Sequence, residues 1–129
     1  MKVFERLPAE VESLAKQPVD ASIKVHRALG PGLLESVYET CLAHELRQRG
    51  LKVETQVVIP VVYDGVCLEA GLRLNLLINK ELIVEVVEQM NRIFKAQVLT
   101  YLKLANLRLA LLINFNVPLL RDGLERVIL

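Results

Sequence analysis

The feature that most constrains this chain is a change of period at residue 51. Before it, Leu34, Val37, Tyr38, Cys41, Leu42 and Leu46 recur three and four residues apart, the spacing that lines one stripe of an α-helix. After it, "LKVETQV" alternates apolar and polar side chains with period two, which suits a strand with one buried face. Further strands are expected at 71–78 and 82–88, helical spacing returns over 92–106, and "LRLALLINF" at 107–115 reads as a buried strand. The expected order is α-α-β-β-β-β-α-β, and the fold class is α/β, with a mixed central β-sheet flanked by helices.

Glycine and proline punctuate this pattern. Pro18 is expected to break residues 8–29 into two helical pieces, because proline opens a helix more readily than it sits inside one. "GPG" at 30–32 is a stop, a rigid turn and a restart, and Gly50 closes the second helix. Pro60 argues for an edge strand or a bulge, and Asp64-Gly65 is a hairpin signal. One domain is expected over residues 1–129, with 1–17 as a helical N-terminal extension.

Composition excludes several classes. With 53% hydrophobic and 24% charged residues and no low-complexity tract, disorder is not expected. Apolar stretches such as "LALLINFNVPLL" are interrupted well short of the roughly 18 residues a membrane span needs. No secretory signal is visible in "MKVFERLPAEVES", so a cytoplasmic protein without membrane contact is expected, with Cys41 and Cys67 as reduced, buried thiols. Residues 51–90 hold three Lys/Arg against six Asp/Glu, whereas 91–129 hold six against two, so the last third is the side better suited to an anionic partner. A mean hydropathy of +0.37 points to apolar surface hidden in a homo-oligomer.

The hairpin around "LINKELIVEVVEQM" (77–90) fixes which side chains meet. With Asn79, Lys80 and Glu81 as its loop, Ile78 faces Leu82, Leu76 faces Val84 and Leu74 faces Val86 on one apolar side. Leu77 then faces Ile83, Asn75 faces Glu85 and Arg73 faces Val87 on the other, whereas a two-residue loop sets core leucines against Glu85. Asn75 and Glu85 are thus expected neighbours, with Arg73 on their side.

"GLLESVY" at 32–38 spells Gly-x-x-Glu-x-x-Tyr. Together with "KVHRALGPGLLESVYE", "LAHELRQRGLKVE", "VLTYLKLANLRLALLINFNVP" and "DGLERV", it makes the chain resemble the GxxExxY protein family, a branch of the PD-(D/E)XK nuclease-like superfamily, from about residue 19 onward. The resemblance implies a restriction-endonuclease-like core. In active relatives an acid on the first core helix, an Asp on one strand and a Glu-x-Lys on the next hold Mg²⁺ against a phosphate: oxygen anions bind the hard cation, and lysine steadies the nucleophile. By that pattern Glu35 is the helix acid and Glu85 the strand glutamate, with Asn75 standing where the pattern has Asp. Glu35, Glu85 and Asn75 are then the metal ligands, Gln97 and Tyr101 complete the site from the next helix, and Arg73 holds a phosphate.

Two of these posts are altered. Asn75 keeps an oxygen but lacks the charge that Mg²⁺ selects for, and no lysine follows Glu85 in "EVVEQM". Lys95 is no substitute, because it lies about 200° around its helix from Gln97. Each candidate also has a plainer role. Glu35 suits the first turn of any helix, Tyr38 is core with its hydroxyl on a polar neighbour, and His26 is a packed helix residue. Gln97 and Tyr101 serve as sheet-packing partners, and Glu85 pairs with Arg73 without a metal. Three functions compete: a degenerate nuclease-like module with little or no cleavage that binds nucleic acid or protein, a Mg²⁺-dependent DNA nuclease with an atypical site, and a structural homo-oligomer.

Overall fold

The structure, a computed structural model, describes residues 7–129 and, over 69–71, the backbone alone. Residues 1–6 of the expected extension lie outside the described residues. The elements are α1 (Ala9–Leu29), α2 (Glu35–Gln48), β1 (Val53–Tyr63), β2 (Val66–Ile78), β3 (Leu82–Val86), α3 (Arg92–Ala105), β4 (Leu109–Ile113), a 3₁₀ turn (Leu120–Gly123) and β5 (Leu124–Ile128).

The strands form one sheet in the order β1-β2-β3-β4-β5, antiparallel except for the parallel pair β3 and β4, which α3 connects. This is the mixed-sheet α/β architecture of a restriction-endonuclease-like core. In detail, β1 runs unbroken through Pro60, so three strands precede α3 where four were expected. A fifth strand follows β4 on the far edge. Pro60 sits on the edge strand beside a register shift between Ile59 and Val61, where a missing N–H disrupts least. Among the described residues, no helix is long and apolar enough to cross a membrane.

Pro18 does not break the first helix. It lies inside α1, where it forfeits a hydrogen bond at a cost of about 3 kcal/mol. Leu14, Ala15, Ala21, Val25 and His26 are buried on both sides of it, and that continuous stripe holds the two halves together. Gly30, at φ 74°, ends α1 with its N–H on the His26 carbonyl. α3 is capped by Asn91, whose Oδ1 accepts the Phe94 N–H at 2.9 Å, and closed by left-handed Asn106.

Two apolar clusters sandwich the sheet. One packs α1 and α2 on Leu76, Ile78, Val84, Leu111 and Ile113; the other packs α3 through Val98 and Leu102 on Leu77, Ile83, Ala110 and Leu112. The central hairpin keeps the expected three-residue loop, with Ile78 opposite Leu82, Leu77 opposite Ile83 and Leu76 opposite Val84.

Beyond that pair the expectation fails. Leu74 does not continue the face of Leu76 but sits in the α3 cluster, while Val86 stays with α1 and α2. β1 makes the same switch: Val53 packs with α1 and α2, and Val57 and Ile59 with α3. The hinge residues are Gln56, left-handed at φ 52°, and Asn75, which lies across from it between the paired Thr55–Leu76 and Val57–Leu74. Past this corner the two strands leave the sheet as an arm, closed by Asp64 (φ 50°) and Gly65 (φ 76°), the doubly left-handed turn that suits a two-residue hairpin. Cys67 is on this arm and is exposed, not buried as expected; both cysteines are free thiols.

Candidate active site

A cleft of about 270 Å³ opens at the carboxyl end of β3, between the start of α2 and the face of α3. Glu35 enters from the first turn of α2, Glu85 from β3, and Gln97 and Tyr101, one helical turn apart, from α3. Four residues singled out in the sequence therefore meet in space. Glu88 joins them, and Val87, Phe94 and Val98 form the apolar wall.

Asn75 and Glu85 are joined by an exchange that the register calculation did not foresee. The Asn75 Oδ1 accepts the Val86 N–H at 2.9 Å, and the Asn75 N–H reaches the Glu85 Oε1 at 3.3 Å. Side chains thus replace ladder bonds where the strands part, which keeps buried backbone donors satisfied. The carboxamide is turned into the sheet and does not line the cleft.

Glu85 is only 8% exposed, and burial pushes its carboxyl up to about 8. The Asn75 N–H opposes that rise, and the charge of Glu39 adds to it. Tyr101 is also raised, first by burial and then by the nearby Glu85 charge, with a Gln97 hydrogen bond acting the other way. Glu39, outside the lining but close enough for its charge to act on Glu85, is a neighbour of the site that the sequence reading missed, and the Gln56 Nε2 donates to its Oε1 at 2.6 Å. Glu39 lies one turn after Glu35 on α2, and that spacing was the signal available.

Other candidates lie elsewhere. Tyr38 is fully buried: its hydroxyl donates to the Gly30 carbonyl at 2.6 Å and accepts the Leu33 N–H at 3.1 Å, pinning the 30–32 turn. Its ring stacks on Phe115 at 4.3 Å, and the His26 Nε2 bonds the Val117 carbonyl, so His26 is a packing residue. Lys95 pairs with Glu125 of β5. Arg73 is exposed at the base of the arm, opposite Val58 and outside the cleft. With Leu74 turned toward α3, strand alternation directs Arg73 away from the side it was expected to share with Asn75 and Glu85.

The donors here do not fit Mg²⁺ as the sequence pattern proposed. The Asn75 oxygen already holds a backbone N–H, and the buried Glu85 carboxylate takes the Asn75 N–H on its Oε1. Among the described residues, no group of three or more His, Cys, Asp or Glu is placed to hold a metal ion. A hard cation that gives up water reluctantly needs charged oxygens that are free to turn toward it. Val87, in the wall, stands where the superfamily pattern has lysine.

A mixed sheet sandwiched by helices, with acids from the first core helix and a central strand meeting at one end, defines the class of restriction-endonuclease-like domains. The model of the PD-(D/E)XK nuclease superfamily matches residues 12–127, and the chain belongs to that superfamily. No curated protein and no solved structure matches it.

Proposed function

We propose that this chain is a superfamily member that no longer cleaves phosphodiester bonds and serves as an interaction module, contacting protein rather than a phosphate backbone. The observation that carries this reading is the commitment of the Asn75 carboxamide to the Val86 N–H, which removes from the cleft the strand residue that should face a metal. The cleft wall supports it. Glu35, Glu85 and Glu88 line it together with Val87, and among the described residues no lysine or arginine does, so a scissile phosphate would meet acids without a counter-cation. Losing one such electrostatic contribution commonly costs about 3 to 4 kcal/mol of transition-state stabilisation, and two are altered here.

The test is an incubation with plasmid, linear and single-stranded DNA over a range of Mg²⁺ and Mn²⁺, beside a variant carrying Asn75→Asp and Val87→Lys. The native chain is expected to leave every substrate intact. Cleavage by the native chain that disappears in Glu85→Ala overturns the reading in favour of a nuclease with an atypical site. A second reading, nucleic-acid binding without cleavage, draws on the basic last third of the chain, and a binding constant that falls steeply with salt would favour it.

A further inference from the structure

Two features at one end of the molecule each lack what the other supplies. The first is the arm. Val58, Val62, Tyr63, Val66 and Leu68 are all more than 40% exposed, reaching 76% at Tyr63, and residues 57–72 include no lysine or arginine. Its base packs on α3 through Val57 and Ile59, but the ribbon beyond them is marginal in water by itself, and the exposed apolar side chains on both its faces call for a cover. Its tip presents one exposed acid, Asp64, between Tyr63 and Gly65.

The second is a groove of about 610 Å³ between the end of α1 and the 3₁₀ turn. Ile23, Pro31, Pro118 and Leu119 wall it, and Arg27 and Arg121 bring two cations to it, with no acid among the described residues of the lining. Both arginines are exposed and make no ion pair among the described residues, whereas Lys24, Arg49, Lys95 and Arg126 are each paired with an acid. Among the described residues no exposed aromatic ring lines the groove, so they offer nucleic-acid bases little to stack on.

Their places in the fold are complementary too. β3 and β4 run parallel, and β2 is antiparallel to β3, so the tip of the β1–β2 arm and residues 118–121 after β4 lie beyond the same end of the sheet, on opposite halves of it. A two-fold axis perpendicular to the strands brings each arm to the groove of the other copy in one self-complementary contact. We propose that two copies of this chain pair head to head, the apolar, acid-tipped arm of each seated in the arginine-lined groove of the other. A standard interface of about 1,600 Å² divides over two arms and two grooves as roughly 400 Å² each. Tyr63 alone can contribute roughly 150 Å² of that. The inference rests on the interaction-module reading, for which it names the partner.

Sedimentation equilibrium of the full chain tests it. The native chain is expected to dimerise, and Asp64→Arg, or Arg27→Asp with Arg121→Asp, is expected to weaken the dimer roughly tenfold or more by setting like charges together. All three residues are exposed, so far-UV circular dichroism at room temperature should match that of the native chain. Mixing the arm variant with the groove variant restores pairing, because each altered surface then meets its opposite. A monomer at every concentration, a dimer indifferent to Asp64→Arg, or a mixture that stays monomeric overturns the proposal. So does a groove variant that still dimerises but has lost affinity for a DNA oligonucleotide, which assigns the groove to nucleic acid. A dimer that cleaves DNA would sink the interaction-module reading and leave the pairing standing, and a non-cleaving monomer would do the reverse.

Discussion

Replacing Glu85 with glutamine should change how the stability of this protein depends on pH. In the fold the carboxyl is pushed up to about 8, while in the unfolded chain it returns to the ordinary value of 4.5. Between those values the native state holds a proton that the unfolded state has released, so the contribution of Glu85 is present in full at the acid end. It is lost as pH rises, at about 1.4 kcal/mol per pH unit, and the loss is complete above about 8. The whole span is at most about 5 kcal/mol, comparable with the total stability of a domain of this size. The side-chain amide introduced by Glu85→Gln cannot ionise, and its oxygen still accepts the Asn75 N–H, so the native chain minus the variant isolates the carboxyl. Urea unfolding from about pH 5 to about pH 9 should show that difference falling steadily and then levelling. At neutral pH the variant should be the more stable of the two. A flat difference across that range would mean the carboxyl is already ionised in the fold, and the argument from burial would be wrong. Millimolar Mg²⁺ should leave the curve in place; a shift of the titration toward acid would reveal a bound cation and reopen the metal reading.

Tyr38→Phe removes a hydroxyl that satisfies the Gly30 carbonyl and the Leu33 N–H. Two polar groups are left unmatched, so stability should fall by about 2 to 4 kcal/mol and the melting temperature by roughly 10 °C, and a melting curve indistinguishable from the native one refutes the pinning role. Gly123→Ala sets a Cβ 2.0 Å from the backbone oxygen of Asn114, whose own N–H bonds the Gly123 carbonyl. The backbone has to give way, and chemical denaturation should register a loss of at least about 2 kcal/mol.

The sequence was most informative where structure is local. The loop Asn79–Glu81, the Asp64-Gly65 turn, the Gly30 stop and the edge position of Pro60 were all readable, because turn chemistry and side-chain period act over a few residues. Proline propensity misled at Pro18, since the buried stripe on either side of it outweighs the local cost. β5 escaped notice because five residues carrying Glu125 and Arg126 show no clean alternation.

The site divides along the same line. Glu35, Glu85, Gln97 and Tyr101 could be named from the motif they resemble and from their spacing, because helical and strand periods assign residues to faces before any fold exists. Only the tertiary structure decided that Leu74 and Val57 turn to the α3 side, that Arg73 is thereby directed to the opposite side and out of the cleft, and that the Asn75 oxygen is committed to a strand N–H. The physical reason is that a left-handed Gln56 and the burial of a carboxyl between a strand and two helices arise from packing among distant segments, and neither leaves a periodic trace in the chain.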